Sequence, residues 1–313
     1  MNSERFSPSP RPSPVKGEGE TFCPSFIARA CAFTALAVLL GACANTSTPA
    51  TNEAPLLISG HNPQAILSAP EMTRIADKTP PAFRDAVLRA EAFGRTIYTH
   101  DRLATEAGNL VAPGGHSSFR EPLAGWLTEN TSAGLTVNFL VKHQDTLAIA
   151  AEITRVQGKL QLRQPSPPRN LTSQEMILWQ ARQRAYTAKF KACAKRYNPV
   201  VIPARLSGVD LIYVYLLPAS ADPNTVYLGG YQRIAIGPDG SQILEEHAFT
   251  HGCITLQRNA QTTGVRVTEL VSDSPTSAQV YASLRYDLPV YVETSSNGLH
   301  WKVEDGMITL VKK

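Results

Sequence analysis

The sequence predicts an α+β fold, with amphipathic helices packed on a mostly antiparallel sheet, on three observations. Phe83, Val87, Ala90, Gly94 and Ile97 step by three or four, the spacing of one helical face. The runs Leu135-Val137-Phe139-Val141 and Leu147-Ile149-Ala151-Ile153 alternate with period two on either side of the polar stretch KHQD, as a β-hairpin does. Helices that precede and interrupt hairpins give the α+β class.

Taken in order, the first helix opens at Pro81, where a missing N–H costs nothing, and should end between Asp101 and Gly108. After the 135–153 hairpin, QPSPPRN at 164–170 breaks the sheet and is a candidate hinge. Thr172-x-x-Glu175 has the form of a capping box. Behind it Met176, Trp179, Gln183, Tyr186, Phe190, Cys193 and Tyr197 keep helical spacing, which predicts one long helix closed by Asn198-Pro199. Arg182, Arg184, Lys189, Lys191, Lys195 and Arg196 fall on its other faces, as a solvated basic surface or one that meets anionic lipid. Leu211 to Leu217 reads as a central strand. Tyr231–Ile236 and Ser241–Leu244 flank the turn GPDG as a second hairpin, and Ala248–Leu256 adds a strand. Pro275–Tyr286 is a short helix, followed by strands at 288–293, 299–303 and 307–311.

The 313 residues are 43% hydrophobic and 18% charged, enough for one large domain or two small ones behind a leader. The net charge of +4 is dispersed, with no block of like charge, which argues against a nucleic-acid partner. Of the five cysteines, Cys23, Cys31 and Cys43 fall in or at the end of the N-terminal leader and only Cys193 and Cys253 remain in the body.

The leader carries the clearest functional signal. Residues 30–42, ACAFTALAVLLGA, follow Arg29, hold no charge, and are too short to span a bilayer comfortably as a helix. Leu40-Gly41-Ala42-Cys43 resembles the lipobox of bacterial lipoproteins. That resemblance implies a signal peptide over 1–42, diacylglycerol (and palmitate-type acyl chains) on Cys43, and membrane lipid as the partner of the anchor. Ala44 after the cysteine implies delivery to the outer membrane, facing the periplasm. The Pro- and Ser-rich prefix at 7–20 is unlike a signal peptide, so residues 1–25 are expected to precede a later translation start. With no Met between Met1 and Met72, that start would use another codon. Residues 43–78 read as a lipidated cysteine and disordered linker, and 79–313 as the globular body.

Two constellations in the body bear on chemistry. In EEHAFTHGC, residues 245–253, a strand would project His247, His251 and Cys253 from one face; zinc is the cofactor they would hold, with Glu245, His116 or His143 completing the shell. The bland alternative is a half-buried strand, since H-x3-H-x-C has low specificity. Cys193 and Cys253 form either a disulfide, as an oxidising periplasm favours, or two separate buried thiols; a Cα separation above about 7 Å would exclude the bond.

The stretch 273–301, DSPTSAQVYASLRYDLPVYVETSSNGLHW, resembles the end of JAB/MPN-type metallopeptidase domains. Where that family carries H-x-H and a helical Asp, this chain has Thr268-Glu269-Leu270-Val271-Ser272 and Gln279, so the resemblance implies a domain without the family's zinc site. Phosphate-loop, dinucleotide-loop, nucleophile-elbow and CxxC signatures are absent. The expectation is a non-enzymatic, membrane-anchored envelope lipoprotein that binds or scaffolds an envelope partner without a cofactor. The alternative is a periplasm-facing metal-binding protein or hydrolase built on His247, His251 and Cys253.

Overall fold

A computed structural model describes residues 66–111 and 121–311, which belong to one compact unit. Cys43, His116 and the linker as far as residue 65 lie outside the described residues. Among the described residues the fold is α+β with four α-helices.

Order begins earlier than the sequence reading placed it. Helix α1 (Ala69–Lys78) occupies the end of the segment assigned to the linker. Its signal was Ser68-Ala-Pro-Glu71: Glu71 Oε2 accepts from the Ser68 backbone N–H at 2.8 Å, which satisfies an otherwise unpaired N-terminal donor. A 3-10 turn at Pro81–Phe83 leads into α2 (Arg84–Val111), which passes the predicted end because Leu103, Ala107 and Val111 keep the apolar stripe going.

The first sheet runs β1 (Leu123–Thr131), β2 (Gly134–His143), β3 (Thr146–Val156) and β4 (Lys159–Arg163), with the short β5 (Arg169–Asn170) also pairing with β3. The predicted 135–153 hairpin is β2–β3. The expected hinge at 164–170 is tied into this sheet: Arg169 bonds Glu152 at 2.6 Å and Glu175 through both terminal nitrogens.

Helix α3 (Ser173–Ala185) carries the predicted capping box, Glu175 N–H donating to Thr172 Oγ1 at 3.2 Å and Thr172 N–H to Glu175 Oε2 at 2.7 Å. The predicted continuation to Tyr197 does not form. The helix tightens into i→i+3 bonds at Tyr186, Thr187 and Ala188, and by Arg196 the chain has entered β6 (Arg196–Leu206). Asn198-Pro199 thus lies inside a strand. It is the edge strand of its sheet, where proline removes no ladder bond that is needed, and a residue before proline prefers extended backbone.

The second sheet has the order β10-β9-β7-β6, with β7 (Val209–Ala219), β9 (Gln232–Ile236) and β10 (Ile243–Ala248). Strand β7 is apolar or aromatic from Leu211 to Leu217 because both of its faces are covered there. Ile212, Val214 and Leu216 pack towards α3 and the first sheet, whereas Tyr213, Tyr215 and Leu217 pack with Phe93 and Ile97 of α2 and with Ala278 and Tyr281.

The strand predicted over 248–256 is interrupted. Strand β10 ends at Ala248, and the chain resumes as β11 (Thr255–Gln257), paired with β8 (Thr225–Tyr227) instead of the second sheet. Between them Thr250 Oγ1 accepts from Gly230 N–H at 3.0 Å and donates to the Gly252 carbonyl at 2.8 Å, a local turn that competes with a ladder. The C-terminal sheet is β12 (Val265–Glu269), β13 (Val290–Thr294), β14 (Leu299–Glu304) and β15 (Met307–Leu310), with α4 (Ser277–Tyr286) as the crossover between the parallel pair β12–β13.

Candidate functional site

A pocket of about 840 Å3 opens where α2, β1, α3, β7 and α4 approach one another. Five side-chain cations line it, Arg182, Lys195, Arg196, Arg258 and Arg285, against two carboxylates, Asp101 and Asp222. Both carboxylates are already engaged. Asp101, 3% exposed, accepts from Tyr281 Oη at 2.8 Å and Asn198 Nδ2 at 3.1 Å, and Arg285 Nε lies 3.7 Å away. Asp222 accepts from Asn224 N–H and Thr225 Oγ1, each at 3.0 Å, and so serves its own turn. Burial, then the Asp101 charge, raises the Tyr281 hydroxyl well above its ordinary pKa, so it stays a proton donor to that acid.

Arg182 is the unusual member. It shares one stripe of α3 with Trp179 and Tyr186, spaced i, i+3 and i+7, and is only 7% exposed. Its guanidinium carbon lies 4.7 Å from the Trp179 ring centroid, 5.6 Å from that of Trp126 and 5.6 Å from that of Tyr186. Gly125 makes the fit possible, on the β1 bulge between Leu123 and Gly125. A Cβ there would stand 3.0 Å from Arg182 Nη2 and 3.1 Å from the Trp179 ring.

Among the described residues no carboxylate pairs with Arg182, and its Nε is buried without a hydrogen-bond partner. Burial lowers its pKa, and the nearby Tyr186 opposes that shift. Burying an ion costs several kcal/mol even after relaxation. A desolvated cation–π contact returns up to about 2 kcal/mol, and a cation in the last turn of a helix about 0.3–1 kcal/mol. The rings and the helix end therefore offset part of the cost and supply no opposite charge. The sequence reading puts Arg182 on a basic surface that is solvated or meets anionic lipid, whereas the structure buries it; the missed signal was a cation in line with Trp179 and Tyr186.

A second cavity of about 430 Å3 lies on the other side of α2, between His100, Thr128, Glu129 and Leu178. His100 Nδ1 pairs with Thr128 Oγ1 at 2.7 Å. Asn138 Nδ2 donates to both Glu129 at 2.6 Å and Glu175 at 3.0 Å. Burial, and then the Glu175 charge, raises Glu129 to about 7, while the bonds from Arg169 and Thr172 outweigh burial and keep Glu175 low.

The residues singled out from sequence do not converge. Cys193 and Cys253 are joined as a disulfide, Cα–Cα 5.2 Å, which removes Cys253 from any thiolate role. Both cysteines lie in loops, Cys193 beyond the end of α3 and Cys253 between β10 and β11, and not on the helix and strand predicted for them. Gly230, at φ +86 in the loop between β8 and β9, lets the chain pass, since a Cβ there would meet Cys193 Cβ at 2.5 Å. His247 stacks edge-on to Phe249 at 4.8 Å, with burial and Arg233 lowering its pKa, and His251 is exposed. His143 pairs with Glu121 at 2.9 Å. Among the described residues no group of three His, Cys, Asp or Glu is placed to hold a metal ion. Gln279 Nε2 donates to Glu269 Oε2 at 2.6 Å, and Glu269 Oε1 accepts from the Val271 and Ser272 backbone N–H groups.

Compared with known protein families, with curated proteins and with solved structures, the chain gives no match. No helix among the described residues is long and apolar enough to cross a membrane.

Proposed function

We propose that the chain is a lipid-anchored binding protein of a bacterial cell envelope, held by acylated Cys43 at the outer membrane with its body in the periplasm. The pocket between α2, α3 and α4 is its ligand site, and the role is binding, without a cofactor or nucleic acid. The observation that carries the binding role is the roughly 840 Å3 cavity, lined by aromatic rings and by more cations than acids. The observation behind the anchor is Leu40-Gly41-Ala42-Cys43 after an uncharged run. The Cys193–Cys253 bond supports an oxidising compartment.

Detergent-phase partitioning of the full chain tests the anchor. Wild type should enter the detergent phase and Cys43→Ala the aqueous phase, because the acyl chains supply about 0.8 kcal/mol per buried CH2. Equal partitioning of the two would overturn anchoring through Cys43.

A further inference from the structure

The ligand class can be narrowed from Arg182, on the reading that the large pocket is the binding site. Its Nε is buried and unbonded, and no hydrogen bond or ion pair engages the guanidinium among the described residues. The side chain nonetheless lines the cavity. The rings of Trp126 and Tyr186 line the same cavity and hold the guanidinium in place. Phe190 and Tyr197, in T-shaped contact at 5.3 Å, continue the aromatic wall. A guanidinium fixed in orientation matches two oxygens of a carboxylate or phosphate, and adjacent rings accept a flat apolar body. Asp101, the buried acid of the pocket, is too fully engaged by Tyr281, Asn198 and Arg285 to serve as counter-ion.

We infer that Arg182 is the anion receptor of this pocket and that the ligand is a small molecule bearing a carboxylate or phosphate on a planar ring. Lys195, Arg196 and Arg258 lend a positive field without fixing geometry.

Benzoate, phenyl phosphate and neutral benzamide, titrated into the full chain in detergent with tryptophan emission as readout, test this. Trp126 and Trp179 flank Arg182, whereas Trp301 is buried in the C-terminal sheet. At least one anion should bind ten-fold or more tightly than benzamide, and the stronger of the two identifies carboxylate or phosphate. Arg182→Gln should bring that ratio to about one. Arg182→Lys, which keeps the charge but loses the fork, should retain a smaller preference. In wild type, the preferred anion should protect Arg182 from phenylglyoxal, read by peptide mass spectrometry, and benzamide should not; this arm needs no variant to fold. If benzamide binds as well as the anions, or if Arg182→Gln keeps the ratio while folding normally, the assignment to Arg182 is overturned and the cavity reading stands. If none of the three probes binds, the cavity reading and the assignment fall together.

Discussion

Replacing Gly94 with alanine sets two known quantities against each other. Gly94 lies in α2 where it crosses α4, and a Cβ built on it stands 2.4 Å from both Cβ and Cγ1 of Val280 and 3.0 Å from the Ser277 carbonyl. Ordinary carbon contacts are about 3.5–4.0 Å, so the helices would have to part by about 1 Å. Rotation of Val280 cannot relieve the clash, because its Cβ is fixed to the backbone and the residue is fully buried. Overpacking of this kind costs about 1–3 kcal/mol, and a contact this short belongs at the upper end. Alanine returns about 1 kcal/mol of helix propensity over glycine. The net loss is then about 2 kcal/mol, which for a body of this size lowers Tm by about 4–8 °C. Thermal unfolding followed by circular dichroism reads the shift. In a double-mutant cycle, Val280→Gly should cost less in the alanine background than alone, since it removes both clashing atoms. A Gly94→Ala protein more stable than wild type, or a cycle with additive losses, would refute the close crossing of α2 and α4.

Three further outcomes follow from the network described. Replacing Cys193 and Cys253 by serine opens a loop with a sequence separation of 60, worth about 4 kcal/mol in the chain-entropy model; denaturant unfolding should show that loss, and an unchanged midpoint would contradict it. Glu129 is raised from 4.5 to about 7, so between those values the folded state holds more protons than the unfolded one and stability falls as pH rises. The effect is on the order of 2 kcal/mol after allowing for partial exposure, and Glu129→Gln should remove this component of the slope between pH 4.5 and 7 in urea titrations. Glu175→Gln strips the buried partner from Arg169 and should cost about 3 kcal/mol, against less than 1 kcal/mol for Arg102→Gln at the exposed pair with Glu106.

Legibility in the sequence followed the range of the interaction. Period-two alternation found β2 and β3, and turn chemistry found β9–β10, since each pairing lies within a few residues of its turn. Thr172-x-x-Glu175 marked the start of α3 for the same reason. The end of α3 was illegible because Phe190, Cys193 and Tyr197 keep helical spacing, yet a bond to Cys253 and a 2.8 Å hydrogen bond from Cys193 N–H to Tyr197 Oη hold them in a loop. The His247–Cys253 face failed where Thr250 turned the chain away from the sheet. The pocket itself was beyond reach: it joins Asp101 to Tyr281 and Arg285 across most of the body, and the burial of Arg182 on α3 depends on space left by Gly125 on β1. β12 pairs in parallel with β13 through a crossover, which no local pattern reports.

Helix α2 supplies residues to three separate packed clusters: Val87, Ala90 and Ala92 to one, Phe93 and Ile97 to the next, and Leu103, Ala107 and Val111 to the last. Its 28 residues make an axle about 42 Å long. A nick in any loop after it leaves one fragment holding that axle and the other with a naked sheet face. Two such fragments should be recovered only as a reassociated pair, never as two independent modules, and an evolutionary fusion or split of this chain would have to keep α2 with every sheet it serves.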